Sequence, residues 1–232
     1  TNEKYDVEQE FGITTLEIDK QFNESVLKQC LVINQSNCDT QYLSSKAFQL
    51  IHAKQLKQVL DKQFQQTSAQ KAYMPQVLKI GKYAFSNSQL EEISMDQLQQ
   101  VNQGCFSGTR LQFVSLPRLS KSVGFSHFAD CKFLQLFCSF SLTQIPKCLF
   151  YNCELLQMAI MPSAEVIDVN AFFGCRSLHT VLARVSDYQC DFKTCKVCPK
   201  CLGQAEECFE RGRLLQTTTY YQQFQQQKSS LK

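Results

Sequence analysis

Five cysteines crowd into residues 190–208: Cys190, Cys195, Cys198, Cys201 and Cys208. Thiolates are soft metal ligands and a C-x2-C step aims two of them at one ion, so the run CDFKTCKVCPKC offers a structural zinc site. Zinc ribbons, however, use two well-separated C-x2-C pairs, whereas here the steps overlap at Cys198. An iron–sulfur reading meets C-x2-C-x2-C but lacks the fourth cysteine three residues on, with its proline. The favoured expectation is a disulfide-bonded cap closing an extracellular repeat structure; zinc ranks second, ahead of free thiols and an iron–sulfur cluster. Five thiols leave one unpaired in any local disulfide scheme, so Cys148 or another chain would have to supply a partner.

No second constellation suggests catalysis, and no enzyme is expected. His52, His127 and His179 stand at no spacing from cysteine or carboxylate that would pair a nucleophile with a base, and the eight glycines form no phosphate loop. His127 reads as a half-buried packing residue. Apart from zinc at the cysteine cluster, no cofactor is expected.

The formal net charge of +3 over 232 residues is too small to argue for nucleic acid, whose footprint needs clustered Lys and Arg, and no nucleic-acid partner is expected. No run of eighteen apolar residues exists, so no membrane span is expected, while 44% hydrophobic residues suffice for a core. The chain begins at Thr1 with no visible signal peptide, which a processed chain would have lost. Asn23 and Asn34 open glycosylation sequons, a pattern too common to settle the compartment.

The elements that must position these residues follow from a repeat. Phe85, Phe106, Phe128, Phe150 and Phe172 recur at 21, 22, 22 and 22 residues, each five residues after a branched aliphatic residue: Ile80, Val101, Val123, Ile145 and Ile167. A fixed period of this size marks a solenoid of stacked units. Between the rings, Leu90, Leu111, Leu134, Leu156 and Leu178 are each followed three positions later by Ile93, Val114, Phe137, Ala159 and Val181. The phrase L-x-x-I-x-L is a short strand whose recurring positions face inward.

The phrases KYAFSNSQLEEI, HFADCKFLQLF, CLFYNCELLQMAIMP and NAFFGCRSLHTV resemble the BspA-like leucine-rich repeats over about residues 76–184. The resemblance implies an α/β, right-handed leucine-rich-repeat solenoid, with a parallel sheet on one face and short turns or 3-10 pieces on the other. It also implies surface or secreted proteins of bacteria and anaerobic protists, in which adhesion is a common role. The cysteine cluster resembles in composition the C-x-x-C-rich stretches of protist surface proteins.

Residues 1–75 are read as degenerate repeats forming an N-terminal cap. Within them Leu43, Ala47 and Phe48 repeat the ring phrase, 27–30 begin a strand, 51–64 form a helical insertion and 65–76 a loop. Residues 185–210 are the cysteine-rich cap, and 211–232 a polar, disordered tail. Cys131, Cys153 and Cys175 repeat at 22 residues and read as small core residues.

The register assigns outward strand positions. Gln112, Gln135 and Gln157 line a polar ladder with Glu91 and His179, and beside it Phe113, Leu136, Met158, Ile160 and Leu182 form an apolar strip. Exposed strips of this kind mark interaction surfaces, unless another element of the chain covers them. The function expected is a non-enzymatic protein-binding repeat domain, at the cell surface or secreted. The alternative is an intracellular scaffold with a structural zinc site.

Overall fold

The computed structural model describes residues 12–14, 17–18 and 24–218. The chain is a parallel-sheet solenoid of about seven turns, mostly sheet with little helix. The main sheet has two parts. The first joins β1 (Glu24–Leu27), β2 (Cys30–Ile33), β3 (Leu50–His52), β5 (Lys71–Tyr73) and β7 (Glu92–Ser94). The second joins β9 (Phe113–Ser115), β11 (Leu136–Cys138), β13 (Met158–Ile160) and β15 (Thr180–Leu182). All pairs are parallel except the β1–β2 hairpin. At the seam between the parts the chain is still bridged, by Arg110 N–H donating to Leu90 O at 2.9 Å.

The other face carries turns, as expected, but the 3-10 pieces are replaced by a second parallel ladder. It comprises β4 (Gln58–Val59), β6 (Lys79–Ile80), β8 (Gln100–Asn102) and β10 (Lys121–Val123), then the pair β12 (Gln144–Ile145) and β14 (Val166–Ile167). The aliphatic column that precedes each ring is what this ladder aligns: Val59 pairs with Ile80, and Ile80 with Val101.

The rings stack along the axis. Centroids lie 5.3 Å apart for Phe64–Phe85, 5.5 Å for Phe85–Phe106, 5.2 Å for Phe106–Phe128 and 5.6 Å for Phe150–Phe172, with interplanar angles of 16° or less. Only Phe128–Phe150 opens, to 6.1 Å, because Phe137 fills a strand position held elsewhere by smaller residues and packs edge-on against both rings. Each ring is held by two left-handed backbone positions. Two residues before it stand Lys62, Tyr83, Gly104, Ser126, Cys148 and Asn170; two after it stand Gln66, Asn87, Gly108, Asp130, Asn152 and Gly174. At Gly174 (φ +74°) a Cβ would also come within 2.5 Å of Asn152 Oδ1, so glycine is favoured there. Between these kinks the ring's own N–H donates to the next rung, as from Phe64 to Ala84 O at 2.8 Å and from Phe85 to Cys105 O at 2.8 Å.

The same criterion corrects the N-terminal reading. The spine runs on through Phe64 to Tyr42, whose ring stacks on Phe64 at 5.3 Å and 4° and whose Ser44 is left-handed like its counterparts. Phe48 is not a spine ring: the register places it in the leucine column, one rung before Ala69, where a large residue beside a small one conserves volume. Residues 51–64 form no helix. Leu56, Val59 and Phe64 imitate a helical stripe, but they point inward from a loop, strand β4 and a turn, and Lys62 at φ +59° breaks any helix. Within the expected loop 65–76 lies β5. Residues 27–30 contain a two-residue hairpin turn, with Lys28 (φ +43°) and Gln29 (φ +66°) both left-handed as a tight hairpin demands.

At the other end, residues 211–215 belong not to a disordered tail but to helix α1 (Ala205–Leu215), and the tail beyond 218 lies outside the described residues. Glu206 and Glu207 in its first turn and Arg213 in its last oppose the helix dipole. Gly212 lets α1 lie directly on β15, since a Cβ there would collide with the carbonyl oxygen of Val181.

His127 is fully buried rather than half-buried. At its rung Val123 turns outward, and the ring donates from Nε2 to Val123 O at 3.1 Å beside Ser122 Oγ. Burial lowers its pKa to about 4.

Two outcomes follow. Phe106→Ala should cost about 3–5 kcal/mol in urea unfolding, because the ring is stacked on both sides and the rungs cannot close around the gap. Since the folded pKa of His127 lies below the roughly 6.5 of an unfolded chain, the unfolded state takes up the proton first. Stability is therefore lost as pH falls from about 6.5 to about 4, by on the order of 3 kcal/mol. His127→Leu, matching Leu149 in the next rung, should remove that part of the pH dependence.

Candidate functional site

Two places combine chemistry with accessibility: the outward face of the main sheet and the cysteine cap. On the sheet, register aligns Leu50, Lys71 and Glu92 in one part, and Phe113, Leu136, Met158 and Thr180 in the other. The first half is polar at its open positions, with Lys71 Nζ 3.6 Å from Glu92 Oε2. At the seam the column turns apolar, and Phe113 is 60% exposed. Gln112 and Gln157 are exposed and Gln135 half-buried, their backbones in register through Gln135 N–H to Gln112 O (2.8 Å) and Gln157 N–H to Gln135 O (2.9 Å).

The strip expected from sequence is only half open. Ile160 and Leu182 are 3% and 1% exposed, forming with Cys138 and Phe140 a small apolar cluster against which Leu136, Met158 and Leu215 of α1 pack. Strand position alone could not show this cover, because the helix that supplies Leu215 had read as a disordered tail. A second cover lies at the N-terminal end, where Ile13 and Ile18 cluster with Cys30, Val32 and Leu50. It is tied down by Lys28 Nζ to Gly12 O (2.6 Å) and Asn34 Nδ2 to Ile18 O (2.8 Å). The face is thus covered at both ends, with Phe113 in the open stretch between.

The cysteines separate into two chemistries. In the rungs, the thiols of Cys131, Cys153 and Cys175 donate to the carbonyls of Phe106, Phe128 and Phe150 at 3.1, 3.0 and 3.0 Å. In the earlier rungs Thr67 and Thr109 hold the same place, each hydroxyl donating to its own ring's carbonyl. Burial pushes the Cys131 thiol up to about 11 and those of Cys153 and Cys175 well above the ordinary range, so these stay protonated and inert.

In the cap, the sulfurs of Cys190, Cys195, Cys198 and Cys201 all lie within 4.8 Å of one another, with Cys198 and Cys201 at 3.5 Å. Cys208 does not join them; it is buried on α1 and its thiol donates to Leu178 O at 3.6 Å. The shared Cys198, which argued against a metal ribbon in the sequence, is the hub on which both C-x2-C steps converge. Burial opposes ionisation of Cys195, but the N–H groups of Gly174, Val197 and Cys198 outweigh it and lower its pKa to about 6. Burial raises Cys201 to about 11, and Cys190 is raised further. Lys200, between Cys198 and Cys201, donates from its backbone to Tyr188 Oη (3.1 Å), and Tyr188 packs edge-on against Phe172 (5.2 Å) and Phe209 (6.4 Å). The cap thereby closes the end of the spine.

The histidines do not assemble a site: His52 lies against Tyr73, His127 is interior, and His179 bonds its neighbour Thr180. No helix among the described residues is long and apolar enough to cross a membrane.

Stacked rungs with this two-ladder turn define a leucine-rich-repeat solenoid. The chain belongs to the BspA type leucine-rich-repeat family, whose model matches it in six copies over residues 19–135 and 57–179. No curated protein matches it significantly. Similar solved structures include a leucine-rich repeat protein from Eubacterium ventriosum, at 16% identity and TM-score 0.49, covering 62% of this chain and 44% of that one. The leucine-rich repeat protein of T. pallidum is 19% identical with TM-score 0.44, over 68% and 87% of the two chains. A leucine-rich cell surface protein from Faecalibacterium prausnitzii is 13% identical with TM-score 0.40, over 63% and 57%. The chain spans less than half the length of the first of these.

In reduced protein held with a chelator, iodoacetamide should label the accessible Cys190 and Cys201 first, while Cys105, Cys131, Cys153 and Cys175 stay unmodified until denaturant is added. Peptide mass mapping reads the order, and early labelling of a rung cysteine would contradict the assigned burial.

Proposed function

We propose that the chain is a non-enzymatic protein-binding repeat domain, working in surface or secreted recognition, whose partner docks on the open middle of the outward sheet face. The observation that carries this is Phe113, 60% exposed in a sheet face whose two ends are covered by the chain itself. A large aromatic ring held bare on a rigid strand costs solvation in the free protein and regains it when a partner covers it. Leu136 and Met158 extend the apolar contact along the next two rungs. The flanking Gln112, Gln135 and Gln157 offer amide donors and acceptors that suit the backbone of a protein ligand. Leucine-rich repeats commonly mediate protein interaction, and the fold supplies the rigid, repeated surface such binding uses.

The test places a photo-crosslinking residue at position 112 and, as a control, at position 132, then identifies captured protein by mass spectrometry. A partner captured from 112 alone, and lost from Phe113→Asp and from Phe113→Asp with Met158→Asp while the far-UV circular dichroism is unchanged, is the expected result. Capture that survives both variants would show that this face is not the docking surface. Unfolding of the single variant would show that Phe113 is structural.

A further inference from the structure

We propose that Cys190, Cys195, Cys198 and Cys201 bind one zinc ion, a structural centre that fastens the cap to the last rung of the solenoid. The four sulfurs lie within 4.8 Å of one another, close enough to share one ion. With Zn–S bonds of about 2.3 Å the edges of a tetrahedral site are about 3.8 Å, so the 3.5 Å between Cys198 and Cys201 is close to the bound geometry. An all-sulfur tetrahedron selects zinc among common structural metals, and a site with four protein ligands is closed, as structural zinc sites are.

The structure also answers the objection of parity. Five cysteines are awkward for disulfides and for a metal alike, but Cys208 is held apart by its bond to Leu178 O, leaving a set of four. The remaining choice is between two disulfides and one metal. All four sulfurs lie within 4.8 Å of one another, whereas two disulfides would draw them into two separate bonded pairs. Four thiolates around Zn²⁺ leave a surplus of about two negative charges, and Lys193, Lys196 and Lys200 are interleaved among the ligands to offset it.

The consequence for the fold is specific. Tyr188 packs edge-on against Phe172, the last spine ring, and the centre reaches that ring through Lys200, which lies between two of its ligands. Lys200 couples it to Tyr188, which covers that ring. Binding metal therefore locks a lid across an otherwise open solenoid end, whichever compartment the chain works in and whatever it binds.

The experiment measures zinc per chain by elemental analysis of the full-length protein purified reduced with added zinc, and repeats the loading with cobalt(II) to read the thiolate-to-cobalt absorption. One zinc per chain and a tetrahedral thiolate cobalt spectrum are expected. Cys201→Ser, an exposed ligand whose loss leaves packing intact, should weaken zinc retention against a competing chelator by at least about tenfold. Cys208→Ser and Cys148→Ser should leave it unchanged. Cys195→Ser serves as a second ligand variant, with circular dichroism checking that the solenoid persists. Zinc retention unaffected by both ligand variants would overturn the proposal. So would two disulfides mapped among these four cysteines in native protein, or four free thiols without metal after zinc loading.

Discussion

Each rung of this solenoid must turn around one buried aromatic ring, and the chain does so by entering the left-handed region twice, two residues before the ring and two after it. For residues other than glycine that conformation costs on the order of 1 kcal/mol, so it persists only where the surroundings repay it. Here the repayment is the N–H of the ring residue donating to the next rung, together with ring-on-ring stacking. Everything else is set by that arrangement. The second ladder exists because the aliphatic residue five before the ring points inward at every rung but that of Val123, and the main sheet because the leucine phrase must return to the same core.

The constraint also explains what was legible in the sequence. Where ring, aliphatic and leucine columns keep their usual residue types, from Ile80 onward, register and strand faces could be read directly. Upstream they could not, because Tyr42 replaces phenylalanine, Gln63 stands where a small residue is usual, and Ala69 and Ala72 shrink the leucine phrase. The fold tolerates these because each is compensated in three dimensions. Gln63 is fully buried yet satisfied, its amide donating to Cys38 O and Thr40 O and accepting from Leu60 N–H. The volume missing at Ala69 has Phe48 beside it one rung earlier. Such compensation lies between rungs and leaves no trace in the period itself.

The sites divide in the same way. Which residues face outward on the strands follows from alternation, and Phe113, Leu136 and Met158 lie on the face that alternation assigned them. Which outward residues stay open depends on what the chain lays over them, and neither cover has repeat periodicity. The covers also protect the solenoid, since a bare first or last strand would present unpaired backbone to another chain. The β1–β2 hairpin protects one end and α1, against β15, the other.

The two populations of cysteine show how one residue type serves opposite ends within one architecture. In the rungs, a thiol satisfies a carbonyl in a space too small for a larger polar group, and burial keeps it protonated. Beyond the last rung the cap takes over, with Asn170 N–H donating to Gln189 O at 2.8 Å and Asp191 N–H to Asn170 Oδ1 at 2.8 Å. The sulfurs of Cys190, Cys195, Cys198 and Cys201 come together at the place where the repeat ends. Their spacing follows that convergence and not the 22-residue period.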